Sequence, residues 1–587
     1  MPPPTSPPST AVRNLTWLGL VRLVRLAPAQ ITATMIWAVA AAGASLLIPA
    51  VSARTVDQVL TNRDPSLILA ALAGLLVLRV LAEAYGGLAQ VSATTRVVAS
   101  LRYRLLRHVF ALGIPGLRRH GTGDLVTRLT GNVVTGASAV PALVNAAMTV
   151  VTSLGGLIAL WLIDWRLGAV FLAGVAPAML LLRLLMTQVT ARYGEYLERL
   201  GAIAARLTDA LAGSKTIWAS GTARREVERV LVPLPDLAKS GKGIWKAQRA
   251  VSWQVNLVLT GIRVIVLAVA GLGVAGGRIS PGDFLASSLY LTFALGFLYQ
   301  VDILIHLADA RANAGQVFDV LAEEPQVHAG RPQCLPAEGL PAGPGALSFR
   351  RVSVRLCDRI VLDEINLELP AGAAVALVGR SGTGKTTLAL LVGRLLDPNE
   401  GEVMIDGVRV DALDPARLRR EVAYAFDRPV LLGDTIREAL TYGRPEATAP
   451  EVEHAARIAQ AEDFIRRLPE GFDTPLADAP VSGGELQRLG LARAVAHGGR
   501  ILVLDDATSS LDTVTEAKVV DALTEDLANR TRLVVAHRAT TAARADLVAW
   551  LDGPRIRAVA SHQALWAVEP DYRAVFAAEP RPDEEGI

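Results

Sequence analysis

Long apolar segments alternate with arginine-rich polar segments over roughly the first 320 residues of the chain. A helix needs about 20 apolar residues to cross a bilayer. The pattern therefore predicts six membrane-spanning helices, with approximate bounds Ala29–Ser52, Pro65–Gln90, Ser138–Asp164, Arg166–Gln188, Ala250–Gly276 and Ser280–His306. The alternative is a soluble protein in which this half forms a buried core. Six apolar segments joined through basic ones argue against that alternative.

Basic residues are unevenly distributed among the segments that join these helices. Residues 95–135 contain seven arginines and one acidic residue, Asp124, and residues 186–249 are also rich in arginine and lysine. Because basic segments stay in the cytoplasm, we expect both segments and both termini to lie there. Both segments are too long for simple loops. They predict membrane helices that continue into the cytoplasm and turn near Gly113–Gly123 and Leu211–Gly221.

Composition changes along the chain divide it into five parts. Residues 1–12 are proline-rich and are expected to be disordered, residues 13–320 form the membrane domain, and residues 321–345 are a Pro/Gly-rich linker. From residue 346 to 579, short apolar runs alternate with helical periods, which predicts an α/β domain with a largely parallel sheet. Residues 580–587 are a tail. Two cysteines exclude a disulfide framework or a zinc site, and a net charge of +3 gives no indication of a nucleic-acid partner.

A glycine-rich segment between an apolar strand and a helix fits G-x-x-x-x-G-K-[ST] at every fixed position. In this context the pattern indicates a loop whose backbone N–H groups bind the phosphates of ATP. Lys385 is expected to reach the β- and γ-phosphates, and Thr386 is expected to bind Mg²⁺. The candidate ATP-binding residues in the loop are Gly379, Ser381, Gly382, Gly384, Lys385, Thr386 and Thr387.

Two further motifs lie downstream of this phosphate loop. The apolar strand Ile501–Leu504 ends in two carboxylates, of which Asp505 is expected to hold Mg²⁺ and Asp506 to face the attacking water. A pair of this kind can also merely cap the next helix. The segment VSGGELQR, from Val481 to Arg488, is a Ser-Gly-Gly turn opening a helix, which is a second anion site.

From about residue 346 to 579 the chain resembles the ATPase domain of ABC transporters. The order of motifs is that of the family: phosphate loop, signature turn, paired acids, the Ser509–Asp512 segment and His537. The resemblance implies that Ser482, Gly483, Gly484 and Glu485 complete the nucleotide site of a second subunit. It also implies a D-loop role for Asp512 and a γ-phosphate-sensing role for His537. The first half resembles the six-helix domain of the exporter branch, with coupling turns near Pro115–Thr122 and Ala212–Ala219.

The sequence departs from the family pattern mainly within one nucleotide site. The family's catalytic glutamate is replaced by Asp506, its Q-loop glutamine by Asp427, and its adenine-stacking aromatic residue by Leu356. Asp427 remains a candidate Mg²⁺ ligand, and Leu356 a candidate adenine contact. The segment between Thr474 and the signature turn is also shorter than usual. The resemblance then implies a degenerate site in a heterodimer whose partner supplies the glutamate. The alternative is a homodimer in which aspartate acts as the base.

We expect one half of an ATP-driven exporter in the cytoplasmic membrane, with its ATPase domain in the cytoplasm. The resemblance implies Mg²⁺ and ATP as cofactors and a second half-transporter as partner. An importer on the same scaffold and a membrane-tethered nucleotide-binding regulator remain alternatives. The substrate class stays open between a small molecule, a lipid and a peptide. Within the membrane helices, Arg79, Glu83 and Asp302 are predicted to face a cavity or each other. The alternatives are that Arg79 and Glu83 only neutralise each other and that Asp302 lies close enough to the membrane interface to be solvated.

Overall fold

The computed structural model describes residues 25–299, 301–325, 327, 343–356 and 359–576. The predicted disordered N-terminus, most of the linker, both cysteines, the tail and the side chain of Asp302 lie outside the described residues. The chain forms two compact units. The first comprises Met1–Leu106 and Gly123–Ala322, and the second comprises Arg107–Thr122 and Glu323–Ile587.

The first unit is entirely helical in its described part. Its α-helices are α1 Pro28–Leu60, α2 Ser66–His120, α3 Thr122–Thr127, α4 Val133–Ala137, α5 Ala139–Ile163, α6 Trp165–Ala212, α7 Ser214–Ala219, α8 Ala223–Leu231, α9 Leu234–Ala275, α10 Pro281–Leu295 and α11 Val301–Ala322. A π-helical turn at Arg128–Asn132 and a 3-10 turn at Gly296–Tyr299 join neighbouring helices. The end of α2, from Arg107, belongs to the second unit.

Five helical segments among the described residues are long and apolar enough to cross a membrane. They overlap the first five predicted spans, whose bounds differ from theirs at the ends. The sixth prediction is not confirmed, because α10 has 15 residues and ends in the 3-10 turn Gly296–Tyr299. Fifteen helical residues measure about 22 Å, short of the roughly 30 Å hydrocarbon core.

Two helix breaks lie where the sequence predicted cytoplasmic turns. The first is at Gly113, whose φ of 67° is non-helical, and Gly121 with a φ of 68° ends the following short helical segment. The second follows Ala212, where the short helix α7 leads to Gly221 with a φ of 66°. Glycine adopts positive φ without the steric cost of a Cβ, so these positions set the turns.

Ten strands of the second unit form two sheets. They are β1 Leu347–Leu356, β2 Arg359–Leu369, β3 Ala374–Gly379, β4 Glu400–Ile405, β5 Val408–Arg409, β6 Val422–Phe426, β7 Ile501–Asp505, β8 Thr531–Val535, β9 Leu547–Asp552 and β10 Arg555–Ala560. One sheet has the order β10-β9-β3-β8-β7-β6, with every pair parallel except β10–β9. The predicted parallel sheet is therefore confirmed. The antiparallel sheet β2-β1-β4-β5 was not predicted.

Helices cover the parallel sheet and enclose its core. They are α12 Lys385–Val392, α13 Pro415–Glu421, α14 Ile436–Leu440, α15 Ala449–Ile458, α16 Glu462–Arg466, α17 Gly483–His497, α18 Thr513–Asp526, α19 Ala539–Ala543, α20 His562–Val568 and α21 Pro570–Val575. Strands β3 and β7 are buried along their whole length. A strand buried on both faces reads as a continuous apolar run, which is why the sequence revealed these two.

Glu323 holds the segment Arg107–Thr122 within the second unit. Its carboxylate pairs with Arg119 (Oε1 to Nη1, 2.7 Å) and with the ring of His120, and its backbone oxygen lies 2.9 Å from His108 Nε2. Ile114 packs against the core that β1 to β3 share with α12. The first predicted turn is thus attached to the residue that follows α11.

Candidate nucleotide-binding site

Strand register brings the candidate catalytic residues to one edge of the parallel sheet. Phe426, Asp505 and Val535 are register partners at the carboxyl ends of β6, β7 and β8. Asp427, Asp506 and His537 follow these ends directly or by one residue. The phosphate loop leaves the carboxyl end of β3, the neighbour of β8. Ligands of open α/β sheets bind at this edge, so the fold assembles residues 427, 505, 506 and 537 beside the loop.

Backbone conformation shapes the phosphate loop. Gly382 and Gly384 have φ of 84° and 92°, in the left-handed region that favours glycine. A Cβ on Gly384 would lie 2.9 Å from Leu362 Cδ2 and 3.0 Å from the backbone oxygen of Val361. The loop therefore has no room for a side chain at Gly384. Helix α12 begins at the next residue, so its free N–H groups face the loop.

The ammonium of Lys385 lies inside this loop. Its Nζ donates to the backbone oxygens of Gly379 at 2.7 Å and of Arg380 at 3.0 Å, and the residue is 5% exposed. Burial lowers the pKa of Lys385, and the negative charges of Asp506 and Asp505 oppose that shift. A buried ammonium bound only by carbonyls favours an incoming anion. This is the chemistry expected of a lysine that binds phosphate.

Asp505 and Thr386 meet directly at the mouth of the loop. Thr386 Oγ1 donates to Asp505 Oδ1 at 3.0 Å. Burial raises the pKa of the Asp505 carboxyl, while the bond from Thr386 lowers it, and the charges of Asp427 and Asp506 raise it further. No cluster of three or more His, Cys, Asp or Glu side chains suited to a metal occurs among the described residues. Mg²⁺ bound with a nucleotide needs only one or two protein oxygen ligands besides phosphates, so Thr386 and Asp505 fit it.

Asp506 and Asp427 flank this pair. Asp506 is half-buried and has a φ of 56°, a left-handed conformation that aspartate tolerates better than most residues. Asp427 is exposed, and its carboxylate lies 3.9 Å from Arg428 Nε. Both carboxylates act on Asp505 through their charge.

The two remaining predicted nucleotide contacts are His537 and Leu356. His537 is exposed and follows β8 after one residue. Leu356 ends β1, where it pairs with Arg359, and its half-buried side chain packs against the sheet core. Leucine lacks the flat face of an aromatic ring, so Leu356 cannot stack on adenine as an aromatic residue does.

The signature turn, Ser482–Glu485, is built by a capping box. Ser482 accepts from the backbone N–H of Glu485, and Glu485 Oε2 accepts from the backbone N–H of Ser482 at 2.8 Å. The N–H of Ser482 lowers the pKa of Glu485. Glu485, which stands where the family has glutamine, therefore orders the start of α17. A Cβ built on Gly483 meets no atom within 4 Å, so this exposed turn is open to a partner.

Gln487 joins α17, which begins at the signature turn, to the loop that contains Asp427 and to the loop after Asp506. Its Nε2 donates to the backbone oxygen of Asp427 at 2.8 Å and to Ser509 Oγ at 3.0 Å, and its Oε1 accepts from the N–H of Ser510 at 2.9 Å. The residue is 3% exposed. The sequence analysis assigned it no role. A glutamine inside the apolar face of a helix was the available signal, because a buried amide needs partners.

Glu516 is a second residue that the sequence analysis missed. It lies in α18 and is 6% exposed. Its carboxylate pairs with Arg538, next to His537, and Oε1 accepts from Thr508 Oγ1 and Thr541 Oγ1, both at 3.0 Å. It thereby ties the loop after Asp506 to the loop that carries His537. Asp512, the predicted D-loop residue, accepts from the N–H groups of Val514 and Thr515 and so begins the same helix.

Comparisons with known proteins agree with this architecture. The family profile of the ABC transporter transmembrane region matches residues 31–297, and the ABC transporter profile matches residues 362–509. The ABC transporter ATP-binding protein RamA of Streptomyces coelicolor is 41% identical over 544 residues, which are 93% of this chain and 84% of RamA. An ATP-dependent lipid A-core flippase of Chromobacterium violaceum is 30% identical, covering 87% of this chain and 88% of the relative.

A solved structure has the same fold along nearly the whole chain. It is a bacterial Atm1-family ABC exporter with ATP bound, with a TM-score of 0.76 and 24% identity, covering 94% of this chain and 99% of the other. The ABC ATPase domain implies that ATP binding and hydrolysis are coupled to transport. From the two profiles and the full-length relatives, the chain belongs to the ABC transporter family, with its transmembrane and ATPase domains fused in one polypeptide.

Proposed function

We propose that this chain is the degenerate-site half of a heterodimeric ABC exporter. Its own phosphate loop binds ATP, and its signature turn completes the hydrolysing site of a non-identical partner. The observation that carries this proposal is the contrast between the signature turn and the chain's own nucleotide site. The signature turn is fully capped and open at Gly483, whereas the acidic side of the chain's own site carries the shorter Asp506.

The weakness of the chain's own site follows from the length of one side chain. Aspartate is one methylene shorter than glutamate, so its carboxylate falls roughly 1–1.5 Å short of the expected position. Misplacement of about 1 Å can cost on the order of 100-fold in rate. The exposed carboxylate of Asp427 replaces a neutral amide near the same centre. Leu356 replaces an aromatic ring, whose stacking on adenine contributes about 1 kcal/mol.

We assign the nucleotide-binding residues from the sequence motif, and the geometry of the loop supports that assignment. The backbone N–H groups of the phosphate loop and the ammonium of Lys385 bind the phosphates, with Gly379, Ser381, Gly382, Gly384 and Thr387 shaping the loop. Thr386 and Asp505 would hold Mg²⁺, with Asp427 as a further oxygen ligand. When bound, Mg²⁺ neutralises charge that develops on the phosphates. Asp506 and His537 are the candidate groups for orienting the attacking water.

Export is the direction that the relatives favour. One relative is named a lipid A-core flippase, and the solved structure with this fold is titled an exporter. We assign the ATPase domain to the cytoplasm and both termini to the same side, with the linker at 321–345. ATP binding would then draw two ATPase domains together, and the long helices α2, α6 and α9 would transmit that closure. An importer, a homodimer with two aspartate sites and a membrane-tethered regulator are the competing functions.

The test compares two substitutions in the co-purified transporter pair. Asp506→Asn should lower the ATPase rate little, because that site contributes little turnover. Ser482→Ala should lower it far more, because it damages the site where hydrolysis occurs. Thr448→Ala removes an equivalent capping box at α15, outside the site, and controls for the loss of helix stability. If Asp506→Asn abolishes activity as fully as Ser482→Ala, a homodimer with working aspartate sites is the better account.

A further inference from the structure

A cavity of about 360 Å³ lies between the membrane helices α1, α2 and α5. Alanines and glycines form much of its wall, and all three helices add hydrogen-bonding side chains. The polar members on which the argument rests are Thr34, Ser45, Glu83, Gln90, Asn145 and Thr149. Polar groups that converge from three helices at one place indicate a site built for a polar occupant.

The cavity lies within the bilayer and close to its basic side. Glu83 is about 26 Å along α2 from Ser66, and Asn145 is about 27 Å along α5 from Ile163. With the proposed topology, both residues lie in the cytoplasmic half of the membrane. The side chain of Glu83 is 56% exposed in this chain. Ionisable side chains inside a membrane pair with one another or face a cavity, and Glu83 both pairs with Arg79 and lines this cavity.

Glu83 supplies the carboxylate of the cavity wall. Its Oε1 accepts from Arg79 Nε at 2.9 Å, one helical turn away, and Arg79 does not line the cavity. Glu83 is the single ionisable residue among the described residues of the wall. An ionised carboxylate has about four lone-pair sites, so Glu83 can accept a second donor. The amides of Gln90 and Asn145 add both donors and acceptors beside it.

We propose that this cavity binds the positively charged, hydrogen-bonding end of an amphipathic molecule. The proposal names a substrate class for the transport function proposed above and rests on that function. Water occupies about 30 Å³ per molecule, so the volume suits a head group of on the order of ten heavy atoms. The cation bonds to Glu83, the amides bind its polar neighbours, and the apolar remainder stays in the hydrocarbon core.

The test uses the full-length chain in phosphatidylcholine nanodiscs, with empty nanodiscs as the blank. The probes are the N-decanoyl derivatives of lysinamide, norleucinamide and glutamic acid α-amide, with the same fluorescent label on the chain end. Lysine and norleucine differ mainly in the ammonium. We expect saturable binding, with the lysine probe tighter than the norleucine probe by on the order of tenfold, since bonds to charged groups are the stronger ones. The glutamate probe should bind weakest.

Two variants and two matched controls locate the binding. Glu83→Gln should remove the preference for the lysine probe and leave the norleucine probe bound. Gly87→Leu should weaken both probes, because a Cβ there meets no atom within 4 Å and Gly87 lines the cavity. Gly74→Leu fills equally open space on α2 outside the wall. Glu195→Gln breaks an exposed ion pair between Glu195 and Arg199, both of which lie on α6 and not on α2. Neither control should change binding.

Three results would overturn the proposal. They are the absence of saturable binding over empty nanodiscs, an unchanged lysine preference in Glu83→Gln, and equal losses in the Gly74 and Gly87 variants. The first is also what a partner helix filling the cavity would produce. A fluorescent ATP analogue bound to the same nanodiscs reports separately on the phosphate loop. If the probes fail to bind while the ATP analogue still binds, only the cavity proposal is rejected. If the ATP analogue fails to bind, the proposed function is rejected.

Discussion

Replacing Gly483 by aspartate tests whether a partner subunit uses the signature turn, because the substitution should leave the folding of the turn intact. The residue is exposed, is the first of α17, and has open space around the position of a Cβ. A carboxylate in the first turn of a helix stabilises it by about 0.3–1 kcal/mol. We therefore expect the Gly483→Asp chain to unfold at the same temperature as the unchanged chain, or slightly above it.

The same carboxylate should be severely damaging to turnover. In the proposed heterodimer it faces the triphosphate held by the partner. Two like charges about 4 Å apart repel by about 4 kcal/mol at an effective dielectric constant of 20. If that repulsion moves the triphosphate away from the backbone N–H groups of the turn, the loss of even one such donor to the developing negative charge costs about 100- to 1000-fold. The ATPase rate should consequently fall by at least about 100-fold.

The assay is steady-state ATP hydrolysis by the co-purified pair, with a thermal melt of the same samples. Ala449→Asp places the same charge on the exposed first residue of α15 and should leave the rate unchanged. A rate within threefold of the unchanged complex would refute a role for this turn in hydrolysis. A lowered melting temperature would refute the structural argument that the position is open.

Three further outcomes follow from the structure. Lys385→Ala should abolish Mg-ATP binding at the chain's own site, while the exposed-face variant Lys518→Ala should not; unchanged affinity in titration calorimetry would contradict the assignment. Glu485→Ala should lower the free energy of unfolding by about 1 kcal/mol through its cap. Because the folded pKa of Glu485 lies below its ordinary 4.5, this difference should persist above pH 4.5 and vanish as pH falls through the lower value. Cysteines at Arg104 or Arg224 should resist impermeant thiol reagents added outside intact cells, and labelling there would overturn the topology.

The chemistry of the site was predictable where it depends on residues close in sequence. The phosphate loop, the Asp505–Asp506 pair and the signature turn each occupy one short segment with a fixed order of residue types. Their flanking strands are buried on both faces and appear as apolar runs. The order of residues within one short segment therefore identified both the motif and the strand beside it.

Residues that act across long sequence separations escaped the sequence analysis. Gln487 bonds the backbone of Asp427 sixty positions earlier, and Glu516 reaches Arg538 in the loop after β8 and Thr541 in α19. The antiparallel sheet was missed for a related reason. Strand β2 alternates buried and exposed positions irregularly, and β1 pairs with it through several register shifts. No single segment of the sequence contains such information, because the pairing partners are set by the fold.

The conformation of Asp506 gives the aspartate a structural advantage that is independent of catalysis. Its φ of 56° lies in the left-handed region, which costs most L-residues roughly 1–2 kcal/mol. Aspartate is among the few side chains that adopt this region routinely, because its short polar group can bond locally. Glutamate lacks that compensation, so lengthening the side chain to restore a catalytic reach would strain the turn after β7. In the proposed heterodimer, where the partner's site hydrolyses ATP, the shorter residue would stabilise the backbone at no cost to transport. The signature turn would be under the opposite requirement, because in that proposal its cap and its open glycine serve a nucleotide bound to the partner.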